Sequence, residues 1–275
     1  MLAYPVNDKP IDYTKPVYMQ PKLDGVRCLI QYDKKQGVTA WSRTGKQWMN
    51  IEHITRSLEK WFQSNQTTVL DGELYNHDLH DDFEQIISIV RRQTPNDVDM
   101  IESEDLVQFH CYDIIHPDNS LFEDRSLFIN CCVHETDYVK VVETTRINHP
   151  DGAEARHKWN LLHGYEGSIL RTNDKYQNKR THSLRKFKDF KDDEALILDW
   201  VEGVGKRTGT IGKFMAQDVD GNLFGMPVMD KFKHLQDNFE EMKTWVGKFA
   251  TFTYFERTKA GSYRHPLFKA IRDYE

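Results

Sequence analysis

The stretch Lys22-Leu23-Asp24-Gly25-Val26-Arg27 decides how this chain is read. It sets a lysine, a carboxylate, a glycine and an arginine at the head of an apolar, strand-like run that continues through Leu29 and Ile30. A lysine amine becomes a covalent nucleophile when cationic neighbours or desolvation lower its pKa enough to free the lone pair. Gly25 permits a tight turn and close approach of a ligand, and Arg27 is suited to gripping a phosphate or a ribose. The same six residues also fit a solvated hairpin turn, because Asp-Gly is a common turn dipeptide. The choice rests on whether the chain also supplies carboxylates for a metal and cations for phosphate.

Composition sets the outer bounds. The 275 residues, 39% hydrophobic and 29% charged, suit one large domain or two smaller ones with a real apolar core. A net charge of -6 excludes a general polyanion-binding coat, so any nucleic-acid surface has to be a local patch. Cys28, Cys111, Cys131 and Cys132 have no metal-ligand spacing and read as buried thiols of a reducing compartment. Met1 to Tyr13 mixes acids, Lys9 and prolines, unlike a secretory signal. No apolar run is long enough to cross a bilayer. A soluble, cytosolic chain with no membrane partner is the expectation.

The pattern divides near residue 190. Up to there, helical spacing predicts helices over 51–62 (with Asn50 as N-cap), 82–92 and 153–162. Strand-like runs are predicted over 68–75, 106–115, 138–144 and 167–171. Lys191-Asp192-Asp193-Glu194 then reads as a polar joint. A strand over 195–201, a turn studded with Gly203, Gly205, Gly209 and Gly212, a helix over 231–245 and an aromatic strand over 249–255 follow. Short strands, glycine turns and one inserted helix suit a small barrel such as an OB-fold. The expected domains are residues 1–190 and 191–275.

Further motifs answer the hexapeptide. Asp71-Gly72-Glu73 sets two carboxylates two positions apart on a strand, and so on one face. One suits a divalent cation and the other a ribose hydroxyl or a basic neighbour; solvated turn acids are the plainer alternative. Glu166 before the apolar run Gly167–Arg171 is a further hard-oxygen candidate, or simply a surface acid. Lys186 and Lys188 fall on one side of an extended segment with Phe187 opposite, either aimed at a phosphate or guarding a sheet edge. In Phe109-His110-Cys111-Tyr112-Asp113, either Phe109 or Tyr112 suits stacking on a base, though such aromatics also fill cores. Ser42-Arg43-Thr44-Gly45 is a polar turn whose arginine suits a phosphate. Gly203-Val204-Gly205-Lys206-Arg207 is a poor P-loop, since Arg207 replaces the hydroxyl residue that binds magnesium.

The order of these motifs resembles the covalent nucleotidyltransferase superfamily, and most closely the ATP-dependent DNA ligases of the compact phage or viral type. The resemblance runs over nearly the whole chain, since the glycine-rich turn at 202–212 is similar to the opening of a ligase OB domain. It implies an α+β fold: a nucleotidyltransferase (ATP-grasp-like) domain of antiparallel sheets with flanking helices, followed by a small OB-fold β-barrel.

By that resemblance Lys22 is the nucleophile that takes AMP from ATP, with Mg2+ as the metal. Arg27 and Glu73 match residues near the ribose, and Glu73 and Glu166 match those associated with the metal. Tyr112 matches the aromatic that stacks on adenine, Lys186 and Lys188 the pair facing the α-phosphate, and Arg43 an arginine used on phosphate. The implied partner is nicked double-stranded DNA and the implied state a monomer, working in the cytoplasm of an infected host or in the bacterial cytosol. The last family motif fits only loosely, at Arg272-Asp273, with Arg264 and Lys269 as other candidates for orienting pyrophosphate. No DNA-encircling domain is expected before Lys22, nor the nicotinamide-binding domain of the NAD-dependent enzymes. An RNA ligase or an mRNA-capping guanylyltransferase shares the chemistry, and a non-catalytic nucleic-acid-binding module is the rival from another class. Lys22, Glu73, Glu166, Lys186 and Lys188 standing together argue against the last.

Overall fold

The computed structural model describes residues 1–80, 82–258 and 261–272. The chain divides into two compact units, the first Met1–Phe187 and the second starting at Lys188. The first carries strands β1 (Leu2–Pro5), β2 (Val17–Lys22), β3 (Val26–Asp33), β4 (Gly37–Trp41), β5 (Val69–Tyr75), β6 (Gln108–Ile115), β7 (Val139–Val141), β8 (Thr145–Ile147), β9 (Gly167–Thr172) and β10 (Arg180–Phe187). They form two five-stranded sheets, ordered β1-β10-β9-β2-β8 and β4-β3-β5-β6-β7. The pairings are antiparallel except at two sheet edges, where β1 runs parallel to β10 and β7 to β6.

The hexapeptide is the bridge between these sheets. Lys22 ends β2 in one sheet and Arg27 lies in β3 of the other. Because β2 and β3 belong to different sheets, Asp24-Gly25 is a crossover and not a hairpin turn. Gly25 is required there: a Cβ would lie 2.4 Å from the Leu74 carbonyl oxygen and 2.7 Å from Glu73 Cγ. Pro21 is tolerated in β2 because the β8 ladder covers only Val17–Met19 and leaves that side of the strand open.

Helices α1 (Glu52–Ser57), α2 (Glu59–Ser64), α3 (Phe83–Val90), α4 (Asp97–Leu106), α5 (Phe122–Cys132) and α6 (Pro150–Leu162) flank the sheets. The helix expected over 51–62 is broken at Leu58 into α1 and α2. Asn50 is not its cap. Ile51 holds that position without a side-chain bond, while the buried Asn50 amide donates to the Ile89 carbonyl at 3.0 Å. Ile30, Phe62, Leu70, Ile86 and Phe109 build the core of the β4–β7 sheet, and Val17, Met19, Ala153 and Leu170 that of the other. Cys28 and Cys111 are buried, with burial pushing both thiols up, but Cys131 is exposed, against the expectation of four buried thiols.

A bulge in the β5–β6 ladder shapes the space between the sheets. Asp71 pairs with Asp113 but Gly72 pairs with Cys111, so Tyr112 is the extra residue. Bulges re-aim side chains, and Tyr112 turns away from the core that holds Phe109. Gly72 lies over that core: a Cβ would come within 2.5 Å of both the Phe109 ring and the His110 carbonyl oxygen.

The second unit carries β11 (Lys191–Glu202), β12 (Ile211–Gln217), β13 (Leu223–Pro227), α7 (Phe232–Asp237), α8 (Phe239–Lys243), β14 (Phe249–Tyr254) and β15 (Leu267–Ile271). The ladder runs β13-β12-β11-β14-β15, antiparallel throughout, around Ile197, Phe214, Met226, Leu235 and Phe252. This is a five-stranded OB-type arrangement, left open because the edge strands β13 and β15 are not hydrogen bonded to each other among the described residues. The polar stretch read as a joint is the start of β11, with Lys191 to Glu194 paired to Tyr254 to Thr251.

Gly72→Ala should destabilise the first unit by about 1–3 kcal/mol, the usual cost of forcing a methyl group into a packed site. Urea unfolding followed by tryptophan fluorescence measures it, and an unchanged midpoint would contradict the close approach of β5 to β6.

Candidate active site

The first unit encloses a cavity of about 100 Å³ between its two sheets. Gln20, Lys22, Ile169 and Arg171 line it from one sheet, and Asp71, Glu73 and Tyr112 from the other. The volume is below the roughly 300–1,000 Å³ usual for whole ligands, so it accommodates one part of a ligand, such as a ring. Larger hollows of about 480 Å³ beside α1 and α4 and about 350 Å³ in the second unit contain none of Lys22, Glu73, Tyr112 or Glu166.

Lys22 ends its strand with its ammonium paired to the Glu166 carboxylate. The main chain holds the two residues together as well: the Glu166 N–H donates to the Lys22 carbonyl at 3.1 Å, and Lys22 lies opposite Gly167 on β9. Gly167 needs its glycine, with φ of +146° and a Cβ position 2.3 Å from the Phe187 carbonyl oxygen. Beneath it, His157 stacks on Phe187 at 3.7 Å and bonds Ser168 Oγ at 3.0 Å, fixing α6 against β9 and β10.

The two acids of β5 have different partners. Asp71 is bound by Arg27 in a bidentate pair, Nε to Oδ1 at 2.9 Å and Nη2 to Oδ2 at 2.8 Å. Tyr176 accepts from Arg27 at 2.9 Å and donates to Asp71 at 2.7 Å. Burial would lower the pKa of Arg27, but Asp71 outweighs it and the net shift is upward. Asp71 therefore takes the basic neighbour. Glu73 accepts only a long bond from the Tyr112 hydroxyl, 3.3 Å, among the described side chains. Burial pushes its carboxyl up to about 7, against the opposing charge of Lys22. Burial likewise raises the Tyr112 hydroxyl, with Asp71 and Glu73 adding to the shift.

A second network lies behind. Asp113, fully buried, receives Arg125 Nε at 2.7 Å and Arg171 Nη1 at 2.6 Å. Arg171 Nε in turn donates to Gln20 at 2.7 Å, and Gln20 donates to the Tyr112 carbonyl at 3.1 Å. Asp113, Arg125, Arg171, Gln20 and Tyr176 received no role from sequence. A charged or amide residue inside an apolar strand is the signal that finds Gln20, Asp113 and Arg171, because such groups are buried only with partners; Arg125 on α5 and Tyr176 outside the strands carry no such signal.

The structure thus sets Lys22, Glu73 and Tyr112 in the walls of one space, with Glu166 paired to Lys22 and Arg27 paired to Asp71 beside it. Lys186 on β10 joins them: burial lowers its pKa, and the charge of Lys22, then Arg180, lowers it further. Phe109 belongs to the core, which leaves Tyr112 as the stacking candidate. Arg43 stands exposed in its turn, outside the cavity lining. Lys188 opens the second unit, its ammonium 4.4 Å from the Phe255 ring centroid. The C-terminal candidates are paired within that unit, Arg264 to Glu256, Lys269 to Asp192 and Arg272 to Glu194, and Asp273 lies outside the described residues.

A family model of the ATP dependent DNA ligase domain matches residues 1–188, the whole first unit. The chain belongs to this family. A DNA ligase of African swine fever virus is 27% identical over 212 residues, covering 73% of this chain and 48% of the viral protein. The chain therefore spans about half the length of the curated relatives it matches. Among solved structures, one from a structure-function study of DNA binding with a minimal scaffold by Lig E DNA ligases superposes with a TM-score of 0.76, at 23% identity and 98% coverage of both chains. The Chlorella virus DNA ligase-adenylate superposes at 0.52, with 23% identity and coverage of 100% of this chain and 98% of that one. At these identities the likeness speaks for the fold alone. No helix among the described residues is long and apolar enough to cross a membrane.

The residues present fit a magnesium ion. Glu73 is a half-buried carboxyl with no cation bonded to it among the described residues, and Glu166 is a second carboxylate beside Lys22. Among the described residues no three His, Cys, Asp or Glu side chains gather as a closed cage, which suits an ion that takes one or two carboxylates and completes its shell from phosphates and water.

Glu73 gives a pH prediction with a definite sign. Its folded pKa of about 7 lies above the 4.5 of a free side chain, so the fold favours the protonated form. The resulting stability is fully present below pH 4.5 and is lost as pH rises through about 7. Glu73→Gln should flatten that decline, so urea midpoints of the two proteins should diverge between pH 4.5 and 7.5, with the variant more stable at the upper end. Parallel curves would show that Glu73 is solvated.

Proposed function

We propose that the chain is an ATP-dependent DNA ligase that seals nicks in duplex DNA through a covalent lysyl-AMP intermediate. The observation that carries the reading is the placing of the Lys22 ammonium against Glu166 at a cavity walled by Glu73 and Tyr112, in a chain of this family. The reading has Tyr112 and Ile169 enclosing the adenine ring and Arg27 and Glu73 close to the ribose. Lys186 stands where it neutralises the α-phosphate.

In the first step the Lys22 amine, having given up its proton, attacks the α-phosphorus of ATP. A P–N bond forms, the bond to the bridging oxygen breaks and pyrophosphate leaves. Glu73 and Glu166 would hold a magnesium ion, which would supply charge neutralisation on the transferring phosphoryl group. Glu166 orients the amine and is the nearest acceptor for its proton, and Lys186 lowers the cost of ionising neighbouring phosphate oxygens. AMP then passes to the 5′-phosphate of the nick, where Arg43 is the assigned phosphate contact. The 3′-hydroxyl finally attacks that phosphorus and AMP departs. Lys188 and a C-terminal cation among Arg264, Lys269 and Arg272 complete the phosphate contacts in this reading. The protein is taken to act as a monomer in the cytoplasm.

The test is labelling. With magnesium and α-labelled ATP the chain should acquire covalent label, Lys22→Ala should acquire none, and nicked DNA should be sealed. Label from GTP but not ATP would replace the reading with a capping guanylyltransferase. Sealing of nicked RNA alone would replace it with an RNA ligase, and absence of label from either nucleotide would leave a binding module. Arg27→Lys should also weaken labelling severely, because an ammonium cannot reproduce the bidentate grip on Asp71.

A further inference from the structure

The first unit contains a second hollow that the ligation chemistry does not use. It encloses about 200 Å³, and its walls include Pro21, Leu23, His110, Lys140, Arg156 and Trp159. Pro21 and Leu23 also line the Lys22 cavity, so the two spaces share the strand end that carries Lys22. We propose that this hollow is a second binding site, for a phosphoryl oxyanion.

The chemistry of the walls selects the ligand. Arg156 spends Nη2 on Glu143 at 2.6 Å, but its Nε is buried with no hydrogen-bond partner among the described residues. The Lys140 ammonium has no ion pair or side-chain hydrogen bond among the described residues. Two cations against the single acid Glu143 leave the lining with an excess positive charge. A buried N–H without an acceptor is costly, and a half-enclosed hollow strengthens the attraction for an anion. A phosphoryl group brings acceptor-only oxygens that answer both cations at once.

The aromatic wall gives the site a rigid side. Arg156 lies 4.3 Å over the Trp159 ring, and Trp159 stacks on His163 at 3.7 Å, so the guanidinium is held in place before any ligand arrives. His110 lies opposite Lys140 in the β6–β7 register and donates from Nε2 to Gln108 Oε1, 3.1 Å away. Burial, then the charge of Lys140, lowers its pKa to about 4, so at neutral pH it adds no charge of its own.

The oxyanion has two sources, a free phosphate or pyrophosphate and a phosphodiester of bound DNA. The second rests on the proposed function and the first does not. Inorganic phosphate and pyrophosphate, titrated at constant ionic strength, should give a saturable change in tryptophan emission that disappears in Trp159→Phe. It should survive Lys22→Ala, which separates this hollow from the Lys22 cavity. Lys140→Ala and Lys140→Gln, both checked for an unchanged urea midpoint, should weaken the response about tenfold, the loss of one charge-assisted hydrogen bond. If DNA is the source, free ions give no response, and Lys140→Ala instead lowers the slope of log K against log salt for nicked duplex by about 0.9. The proposal is overturned if neither ion gives a response that depends on Lys140 and the salt slope is also unchanged. A chain that never acquires AMP but binds phosphate through Lys140 would sink the ligase reading and keep this site.

Discussion

The buried bridge from Arg171 to Asp113 is the interaction on which the rest of the first unit depends. It ties β9 of one sheet to β6 of the other, with neither side chain more than a few per cent exposed. Arg125 adds a second guanidinium to the same carboxylate, and the two together lower the Asp113 pKa although burial alone would raise it. Replacing such a triad with apolar residues is often neutral or better for stability, whereas removing one member costs about 3–5 kcal/mol. Stability alone therefore gives little reason for ions here. What the bridge does provide is direction: through Gln20 it fixes the carbonyl of Tyr112, and with it the bulge that turns the Tyr112 ring into the cavity.

The same logic separates the two acids of β5. Asp71 and Glu73 share a face, yet Arg27 and Tyr176 fully occupy the first and leave the second with one long bond. A carboxyl desolvated without a cation holds its proton more tightly, so Glu73 is poised to give it up when a positive ion arrives. Two chemically similar groups two residues apart thus have different partners, and what divides them is the placing of one arginine.

How much of this was legible in sequence follows from the range of each interaction. Lys22, Arg27, Glu73, Tyr112, Glu166 and Lys186 were legible as candidates because short motifs record local backbone needs, such as the glycines at 25, 72 and 167 that let chains approach closely. The strands over 68–75 and 167–171 were found because alternation is local too. Helix α4 was not foreseen. Its sequence is acidic on all sides, and its stability comes from an Asn96–Asp99 capping box and from packing against other helices. The Asp113 network was missed for a different reason: its members are separated by up to 151 residues, and no window of sequence brings Gln20 and Arg171 together. Asn50 failed as a cap because Ile51 holds that position, while the Asn50 side chain is buried with its amide N–H donating to the distant Ile89 carbonyl.

The hexapeptide then has a meaning that its composition alone does not carry. A transferring phosphorus tolerates little error in the position of its nucleophile, so the lysine needs a stiff mounting. Pro21 fixes the backbone immediately before Lys22, the Glu166 N–H holds the Lys22 carbonyl, and Gly25 permits the abrupt crossing to the other sheet. The span between the proline and the glycine is too short and too tightly held to drift independently of its neighbours. Yet it is walled on two sides by hollows, one lined by Glu73 and Tyr112 and the other by Lys140 and Arg156. A charge entering the second hollow acts on Lys22 through a strand end of only a few residues, close enough for Coulomb interaction in a poorly screened interior to matter. In the proposed reaction the segment that positions the nucleophile is therefore also the partition through which a second anion would be felt.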